Sequence, residues 1–270
     1  MTSVLDLVPE EVRPPARVSA PRPRRAVPDS FLLTTGLFEQ DVAGYWPPDS
    51  HEEHELIWPE RGVVTILVDG RLSTVLPGSG LWISRGVVHE THSVPGAAFR
   101  TTFFTPEAWT PAWNATAPVK VNAAVRQLLV HLARTGMPRE ERLRAQQVCI
   151  DMLEPLASHD ITVPIPRDPR IRELVDSVLQ NPAGEHSLEQ WAYMLNVSTR
   201  TITRAFSADV AMSFAQWRRL VRIRAACGLL AEGKSVTTAG RRVGYGTTSA
   251  FVAAFRKVVG CTPGELLADV

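Results

Sequence analysis

Residues 236–255 read VTTAGRRVGYGTTSAFVAAF, and this stretch decides the fold of the last third of the chain. Apolar residues recur at helical spacing on both sides of Gly244, so the pattern predicts two helices joined by a tight turn. Residues 187–206, SLEQWAYMLNVSTRTITRAF, follow the same plan. The last third is therefore predicted to hold two helix-turn-helix units joined by a long helix.

Helix-capping residues mark where the predicted helices of this region begin. A Ser, Thr or Asp side chain can accept a hydrogen bond from the first turn of a helix, and proline is favoured just after such a cap. A Gln three residues later closes a capping box. These signals predict helices that begin at Asp168, Ser187, Ser198, Ser213, Ser235 and Thr247.

The region from about residue 168 to 268 resembles the DNA-binding domain of AraC/XylS-type transcription regulators. The residues that carry the resemblance in the second unit are Gly244, Tyr245, Ser249, Phe251, Phe255, Arg256, Lys257, Gly260, Thr262 and Pro263. Those in the first unit are Ser198, Arg200, Thr201, Ile202, Arg204 and Phe206. The resemblance implies a two-lobed, all-helical domain that binds double-stranded promoter DNA. RNA polymerase is a further implied partner if the protein activates transcription.

The second helix of each unit carries the candidate DNA contacts. On a single helix, these exposed side chains would be interpreted as ordinary solvated residues. Because the helix-turn-helix unit occurs twice, we interpret them as DNA contacts. The predicted base contacts are Arg200, Thr203, Arg204, Thr248, Ser249 and Ala253, and the predicted phosphate contacts are Ser198, Arg241, Arg242, Thr247, Arg256 and Lys257. Arginine can pair with both guanine acceptors in the major groove. Only the first unit offers arginines at these positions, so we expect it to supply most of the base readout.

Charge is distributed unevenly along the chain, whose formal net charge is +1. From Arg167 onward 14 Lys and Arg face 9 Asp and Glu, a net of +5, whereas the preceding residues carry 15 against 19, a net of −4. The positive excess suits a polyanionic partner. The sequence contains no run of about 18 apolar residues and no secretion signal. The sequence has only 3 cysteines, which lie far apart and indicate thiols in a reducing compartment. We therefore predict a cytoplasmic protein without a membrane partner.

Short apolar runs separated by turn residues characterise the chain from Phe31 to about Thr105. Asp69–Gly70, between two β-branched runs, predicts a hairpin. The predicted class is a multidomain α and β protein with an N-terminal cupin-like β-barrel, a helical linker and a C-terminal all-α domain. Its predicted divisions are a disordered tail (1–29), the barrel (30–112), the linker (113–166) and the double helix-turn-helix domain (167–270). The linker helices could close the barrel, form a homodimer interface, or do both.

Two segments of the N-terminal half are similar to the two cupin motifs. They read Asp49-x-His51-x3-Glu55-x6-Gly62 and Gly78-x5-Ser84-x-Gly86-x2-His89, with Asp49 at the first histidine position and Ser84 where proline is usual. In a cupin barrel Asp49, His51, Glu55 and His89 would converge and could hold a divalent metal. In the other interpretations Trp46, His51, Glu55, Trp58 and His89 line a small-molecule pocket, or the charged groups lie on a surface loop.

Two functions are compatible with these patterns. We favour a sequence-specific DNA-binding transcription regulator whose N-terminal domain senses a small molecule or a metal. The alternative is a metal-dependent cupin enzyme, an oxygenase or isomerase, with an accessory helical domain. The regulator requires no catalytic residues, and the metal motif that an enzyme would need is incomplete.

Overall fold

The structure is a computed structural model that describes residues 27–28, 31–39, 41–107, 113, 115–134, 136–156 and 161–268. The predicted tail, residues 1–29, lies outside these residues apart from Val27 and Pro28. Val27 is buried.

The N-terminal half consists of two antiparallel sheets. The strands are β1 (Leu33–Glu39), β2 (Gly44–Asp49), β3 (His54–Arg61), β4 (Val64–Val68), β5 (Arg71–Val75), β6 (Ser79–Ile83), β7 (His89–Ser93), β8 (Ala98–Phe104), β9 (Thr116–Lys120), β10 (Glu154–Pro155) and β11 (Ile161–Pro164). One sheet has the order β1-β8-β3-β6-β9-β10 and the other β11-β5-β4-β7-β2. Within the described residues no ladder joins the two sheets, so the predicted barrel is not closed by hydrogen bonds.

The space between the sheets is filled by apolar side chains. Trp46, Ile57, Ile66, Leu81 and Phe99 are among the buried residues of this cluster. Successive side chains of a strand point to opposite faces, so one face of each strand supplies this core and the other face packs elsewhere.

The predicted Asp69–Gly70 hairpin is confirmed. β4 pairs with β5 in a register that places Val68 opposite Arg71, which leaves only the two turn residues between the strands. Asp69 has φ 51° and Gly70 has φ 71°. Positive φ at both central residues is the requirement of a type I′ turn, whose twist matches that of the flanking strands.

Two helices, α1 (Ala123–Leu132) and α2 (Arg139–Asp151), pack on the outer side of the six-stranded sheet. The buried Gln146 ties α2 to β1, because its amide donates to the Leu33 carbonyl at 2.8 Å and accepts from the Leu32 N–H at 2.9 Å. Residues 113–166 are therefore helical only in part. They also contribute β9, β10 and β11, and β11 forms an edge of the five-stranded sheet within the predicted helical linker.

The C-terminal half is all-helical. After a 3-10 turn at Pro169–Ile171 it contains α3 (Arg172–Gln180), α4 (Leu188–Met194), α5 (Thr199–Val210), α6 (Phe214–Ala231), α7 (Val236–Arg242), α8 (Thr248–Val259) and α9 (Pro263–Ala268). Each of the six predicted capping side chains accepts a hydrogen bond from the first turn that follows it. Helix α9 was not predicted. Among the described helices, none combines the length with the hydrophobicity that a membrane span needs.

Helix α6 docks the helical half onto the outer face of the five-stranded sheet. One buried cluster joins Leu72 and Val163 to the first unit, and a second joins Leu76 and Ile161 to the second unit. Between the domains, the Trp217 indole N–H donates to the Pro164 carbonyl at 2.8 Å. Both helix-turn-helix units thus share apolar cores with the sheet domain.

Candidate DNA-binding surface and effector site

The first recognition helix, α5, turns its polar side toward solvent. Ile202 and Phe206 are fully buried, whereas Arg200, Thr203 and Arg204 are exposed. The helix starts at Ser198, whose hydroxyl oxygen accepts from the Thr201 N–H at 3.0 Å. This arrangement leaves two arginine side chains near the N-terminal half of a capped helix, which is the end that commonly enters the major groove.

The second recognition helix, α8, has the same arrangement with different chemistry. Phe251 and Phe255 are fully buried. The predicted contacts on α7, α8 and the turn before α8 are all exposed, namely Arg241, Arg242, Thr247, Thr248, Ser249, Ala253, Arg256 and Lys257. The Thr248 hydroxyl donates to the Thr237 hydroxyl at 3.2 Å and the Thr247 hydroxyl caps the helix, so both hydroxyls already have partners within the unit.

Arg222 on α6 connects the two units, a role that sequence reasoning missed. Its guanidinium donates to the carbonyls of Pro182, Gly184 and Gly244 at 2.9, 3.2 and 3.1 Å, and it lies 5.8 Å from the Tyr245 ring centre. The first two carbonyls precede α4 and the third lies in the turn between α7 and α8. One side chain therefore fixes the orientation of the two units relative to each other. The sequence offered no local signal for it, since its three acceptors are backbone atoms distant in the chain.

In the N-terminal domain the structure brings together three of the predicted metal ligands. Glu55 Oε2 lies 3.1 Å from His51 Nε2 and 2.9 Å from His89 Nε2. One ligand atom from each residue falls within 4.8 Å of the others. Glu55 and His89 are buried and His51 is nearly so. Ligand atoms around one transition-metal ion at bond lengths of about 2.0–2.2 Å are commonly about 3 Å apart, so the spacing fits a shared ion.

Backbone carbonyls orient both imidazoles of this group. His51 Nδ1 lies 2.8 Å from the Glu53 carbonyl, and His89 Nδ1 lies 3.0 Å from the Val87 carbonyl. A carbonyl can only accept, so Nδ1 of each ring donates to its carbonyl and Nε2 of each ring is turned toward Glu55. A metal ion or a proton shared between these atoms would satisfy the group.

Three of the predicted site residues, Asp49, Trp58 and Trp46, do not belong to the His51–Glu55–His89 group. Asp49 is exposed, and its carboxylate accepts from the Ser50 N–H at 2.8 Å, so it is outside the His51–Glu55–His89 group. Trp58 is on the opposite face of β3 from Glu55, beneath α1 and α2, because the two residues are an odd number apart in the strand. Its indole N–H donates to the Thr102 hydroxyl at 3.1 Å. Trp46 faces the space between the sheets, packed edge-on against Phe99 at 5.1 Å.

A sheet domain with an inward-facing His–Glu–His group, docked on two capped helix-turn-helix units, defines a DNA-binding regulator with an attached ligand-binding domain. Residues 37–147 match the model of the AraC-like ligand binding domain, and residues 191–269 match that of a helix-turn-helix domain. The chain is 31% identical over 226 residues to the HTH-type transcriptional regulator NimR of Escherichia coli (strain K12), covering 82% of each protein. It belongs to the AraC family of helix-turn-helix transcription regulators.

Two further proteins resemble parts or all of the chain. The HTH-type transcriptional regulator RipA of Corynebacterium glutamicum is 36% identical over 102 residues, which are 38% of this chain and 31% of RipA. The solved structure of ToxT from Vibrio cholerae aligns with a TM-score of 0.38 and 9% identity, covering 88% of this chain and 99% of ToxT.

Proposed function

We propose that this protein is an effector-responsive, sequence-specific transcription regulator of the cytoplasm rather than an enzyme. The observation that carries the proposal is the pair of capped recognition helices, α5 and α8, with exposed polar faces and a common support in α6. In the proposal the protein acts as a homodimer through α1 and α2. It contacts RNA polymerase where it activates transcription.

Base readout in this proposal is unequal between the two units. Arg200, Thr203 and Arg204 read base edges from α5, since guanidinium groups can make two hydrogen bonds to guanine. Thr248, Ser249 and Ala253 on α8 contribute methyl and hydroxyl contacts. The phosphate backbone is held by Ser198, Arg241, Arg242, Thr247, Arg256 and Lys257, which position the helices without reading sequence.

Replacement of Arg204 tests the placement of the first recognition helix. Genomic fragments selected by the purified protein define its site, and binding of that site is then measured at fixed salt. We expect Arg204→Ala to cost about 1–3 kcal/mol and to relax specificity at one base pair. Arg85→Ala, which removes an exposed arginine from the turn between β6 and β7, should leave both unchanged. An Arg204→Ala protein with the affinity and footprint of the wild type would show that α5 does not read the site.

For the N-terminal domain we propose that His51, Glu55 and His89 bind one divalent metal ion through His51 Nε2, His89 Nε2 and the carboxylate of Glu55. Two imidazoles and one carboxylate suit Fe, Mn, Co, Ni or Zn. The Nδ1–carbonyl contacts support this assignment, because such partners orient ligating imidazoles. A bound ion would supply the positive charge that the converging acceptors require. If this ion is the effector, its binding would alter the five-stranded sheet, which contains His89 and which α6 contacts.

Cobalt(II) titration of chelator-treated protein tests the metal site, because its visible spectrum reports the ligands directly. We expect one cobalt per chain and at least a roughly hundredfold weaker affinity in Glu55→Gln, since one of three protein ligands is lost. His131→Ala removes an exposed imidazole from α1 and serves as the control. Absence of a cobalt spectrum in the folded wild type would mean that a proton holds this group together. Substrate turnover that depends on the bound metal would instead favour the cupin enzyme.

A further inference from the structure

The contact between α6 and the five-stranded sheet contains polar atoms without partners. Across the part of the chain that the structure describes, Arg224 Nε, His92 Nε2 and Thr74 Oγ1 are buried and make no hydrogen bond. Thr74 is 4% exposed and His92 is 8% exposed. Most buried polar groups in native proteins are hydrogen-bonded, so three such atoms at one interface indicate a site for a group that supplies the missing partners.

Strand register places two of these side chains on the face of the sheet that α6 covers. Thr74, Thr65 and His92 are successive register partners on β5, β4 and β7, so their side chains share one face. Ile161 is the partner of Thr74 on β11, and it packs with Ile223 of α6 in one buried cluster. Thr74 and His92 therefore lie beneath α6, on the side where the two domains meet.

Arg224 on α6 adds a positive charge to this face. Burial and then the charge of Arg224 lower the pKa of His92 to about 4, so the two side chains are within electrostatic reach of each other. Burial also lowers the pKa of Arg224 to about 10, which leaves the guanidinium charged at neutral pH. Among the described residues, no Asp or Glu forms an ion pair with Arg224. The described part of the chain thus supplies no counter-charge.

The chemistry of the three groups selects an anion. A buried charge is costly unless an opposite charge and hydrogen bonds replace its hydration. The Arg224 Nε–H and the Thr74 hydroxyl can both donate, and His92 Nε2 donates in one of the two neutral tautomers. Three donors and one positive charge attract an anion and repel a cation.

The covering of the face by α6 limits the size of this anion. Adjacent strands are about 4.8 Å apart, so the backbones of Thr74 and His92 are separated by only about 10 Å, with Thr65 between them. Thr65 is itself only 8% exposed. A single-atom anion such as chloride suits this space, whereas the carbon skeleton of an organic acid does not.

We propose that a chloride ion binds between α6 and the five-stranded sheet, where it accepts hydrogen bonds from Arg224 Nε, His92 Nε2 and the Thr74 hydroxyl. This site is separate from the proposed DNA contacts and from the proposed metal ligands. The ion neutralises Arg224 and bridges the two domains. Because it binds the docked arrangement and not the unfolded chain, it stabilises that arrangement.

Urea unfolding of the full chain at about pH 8 tests the site, with sodium gluconate replaced stepwise by sodium chloride at constant ionic strength. A chelator removes metal, so that chloride cannot act as a ligand at the His51–Glu55–His89 group. We expect the equilibrium constant for folding to rise about tenfold between 0 and about 100 mM chloride, as one site with a Kd of about 10 mM gives. Bromide should act like chloride, and acetate should not.

Three variants assign the chloride dependence to this site. Arg224→Met removes the charge and should abolish the dependence, while stability in gluconate is retained or improved because a buried ion is lost. Thr74→Val keeps the shape of the side chain and should weaken chloride binding about fivefold, since one donor is lost. Arg85→Met changes an exposed arginine in the turn between β6 and β7, and it should respond like the wild type.

The line width of the chloride-35 NMR signal measures binding without denaturant. The folded wild type should broaden the signal, and Thr74→Val and Arg224→Met should broaden it less. A wild type whose stability does not depend on chloride would overturn the proposal, and buried water would then be the partner of the three atoms. Equal chloride dependence in the wild type and Thr74→Val would also overturn it, even if Arg224→Met did not fold.

Discussion

Gly240 shows how a single residue sets the packing of the second helix-turn-helix unit. It lies in α7 directly against α8, and a Cβ atom there would approach Phe251 Cγ to 2.9 Å and Phe251 Cβ to 3.0 Å. Real Cβ contacts are longer, so one of the two helices would have to shift. The absence of a side chain at Gly240 is what lets α7 and α8 meet closely over the buried Phe251 ring.

Substitution of Gly240 should therefore destabilise the protein in spite of the helix propensity of alanine. We expect Gly240→Ala to lower the free energy of unfolding by about 1–3 kcal/mol, because overpacking forces neighbouring groups apart. Gly228→Ala is the matched control, since Gly228 is in α6 with no atom near its Cβ position. That variant should gain about 0.5–1 kcal/mol. Urea unfolding measures both, and equal effects at the two positions would contradict the packing argument.

At the scale of elements, α6 acts as a rigid spacer between the recognition helices. Its 18 residues span about 27 Å at about 1.5 Å per residue. A capping box at Ser213 and Gln216 fixes its start, and Arg222 holds it to the turns of both units. Burial lowers the pKa of Arg222, while the neighbouring Tyr245 and Glu185 oppose that effect. The group remains a cation, which strengthens its three hydrogen bonds to carbonyls.

The elements of the sheet domain were less predictable than the helices. Among the strands, β4, β5, β6 and β8 correspond to apolar runs that the sequence indicated. The Asp69–Gly70 turn predicted the hairpin that β4 and β5 form. β2 and β3 each contain proline and polar residues, so their periodicity was hidden. β9, β10 and β11 come from the segment assigned to a linker. β10 and β11 are short edge strands and β9 lies next to an edge, and such strands are specified largely by the sheet they join.

At the scale of the whole molecule, a polar row crosses the interface between the domains. The row consists of His92, Thr65 and Thr74, which are successive register partners on β7, β4 and β5, and the apolar Ile161 on β11 ends it. Within the described residues, His92 Nε2, Thr74 Oγ1 and Arg224 Nε are buried without a hydrogen-bond partner. Burial and the nearby Arg224 lower the pKa of His92 to about 4. Burial also lowers the pKa of Arg224 to about 10, which leaves its charge intact at neutral pH.

Protonation of His92 should weaken the docking of the two domains. Its pKa is about 4 in the folded protein, against the ordinary histidine value of 6.5, so the unfolded chain binds more protons between these pH values. Stability should therefore fall as pH falls from about 6.5 to 4 and change no further below that through this group. We expect His92 to account for roughly 2 kcal/mol of loss between about pH 7 and pH 5.

Urea unfolding at these two pH values measures the effect as a difference between variants. His92→Gln should show a smaller loss than the wild type, whereas His131→Gln, at an exposed position of α1, should behave like the wild type. The comparison between variants matters because His54 also has a lowered pKa, mainly through burial, and contributes in the same direction. Equal losses of unfolding free energy in all three proteins would show that protonation of His92 does not contribute to the pH dependence of stability.

Local signals in the sequence were enough to predict the helical half and the class of protein. Helix caps, apolar spacing and turn glycines are local signals, and they predicted six helix starts and the exposed faces of α5 and α8. The resemblance to the cupin motifs implied that His51, Glu55 and His89 form one group, together with Asp49. Only the packing of the strands shows that Asp49 lies outside this group and that Trp58 faces α1 and α2. It also shows that no described ladder joins the two sheets. The Arg222 contacts also come from the tertiary structure, because they depend on backbone atoms from distant parts of the chain.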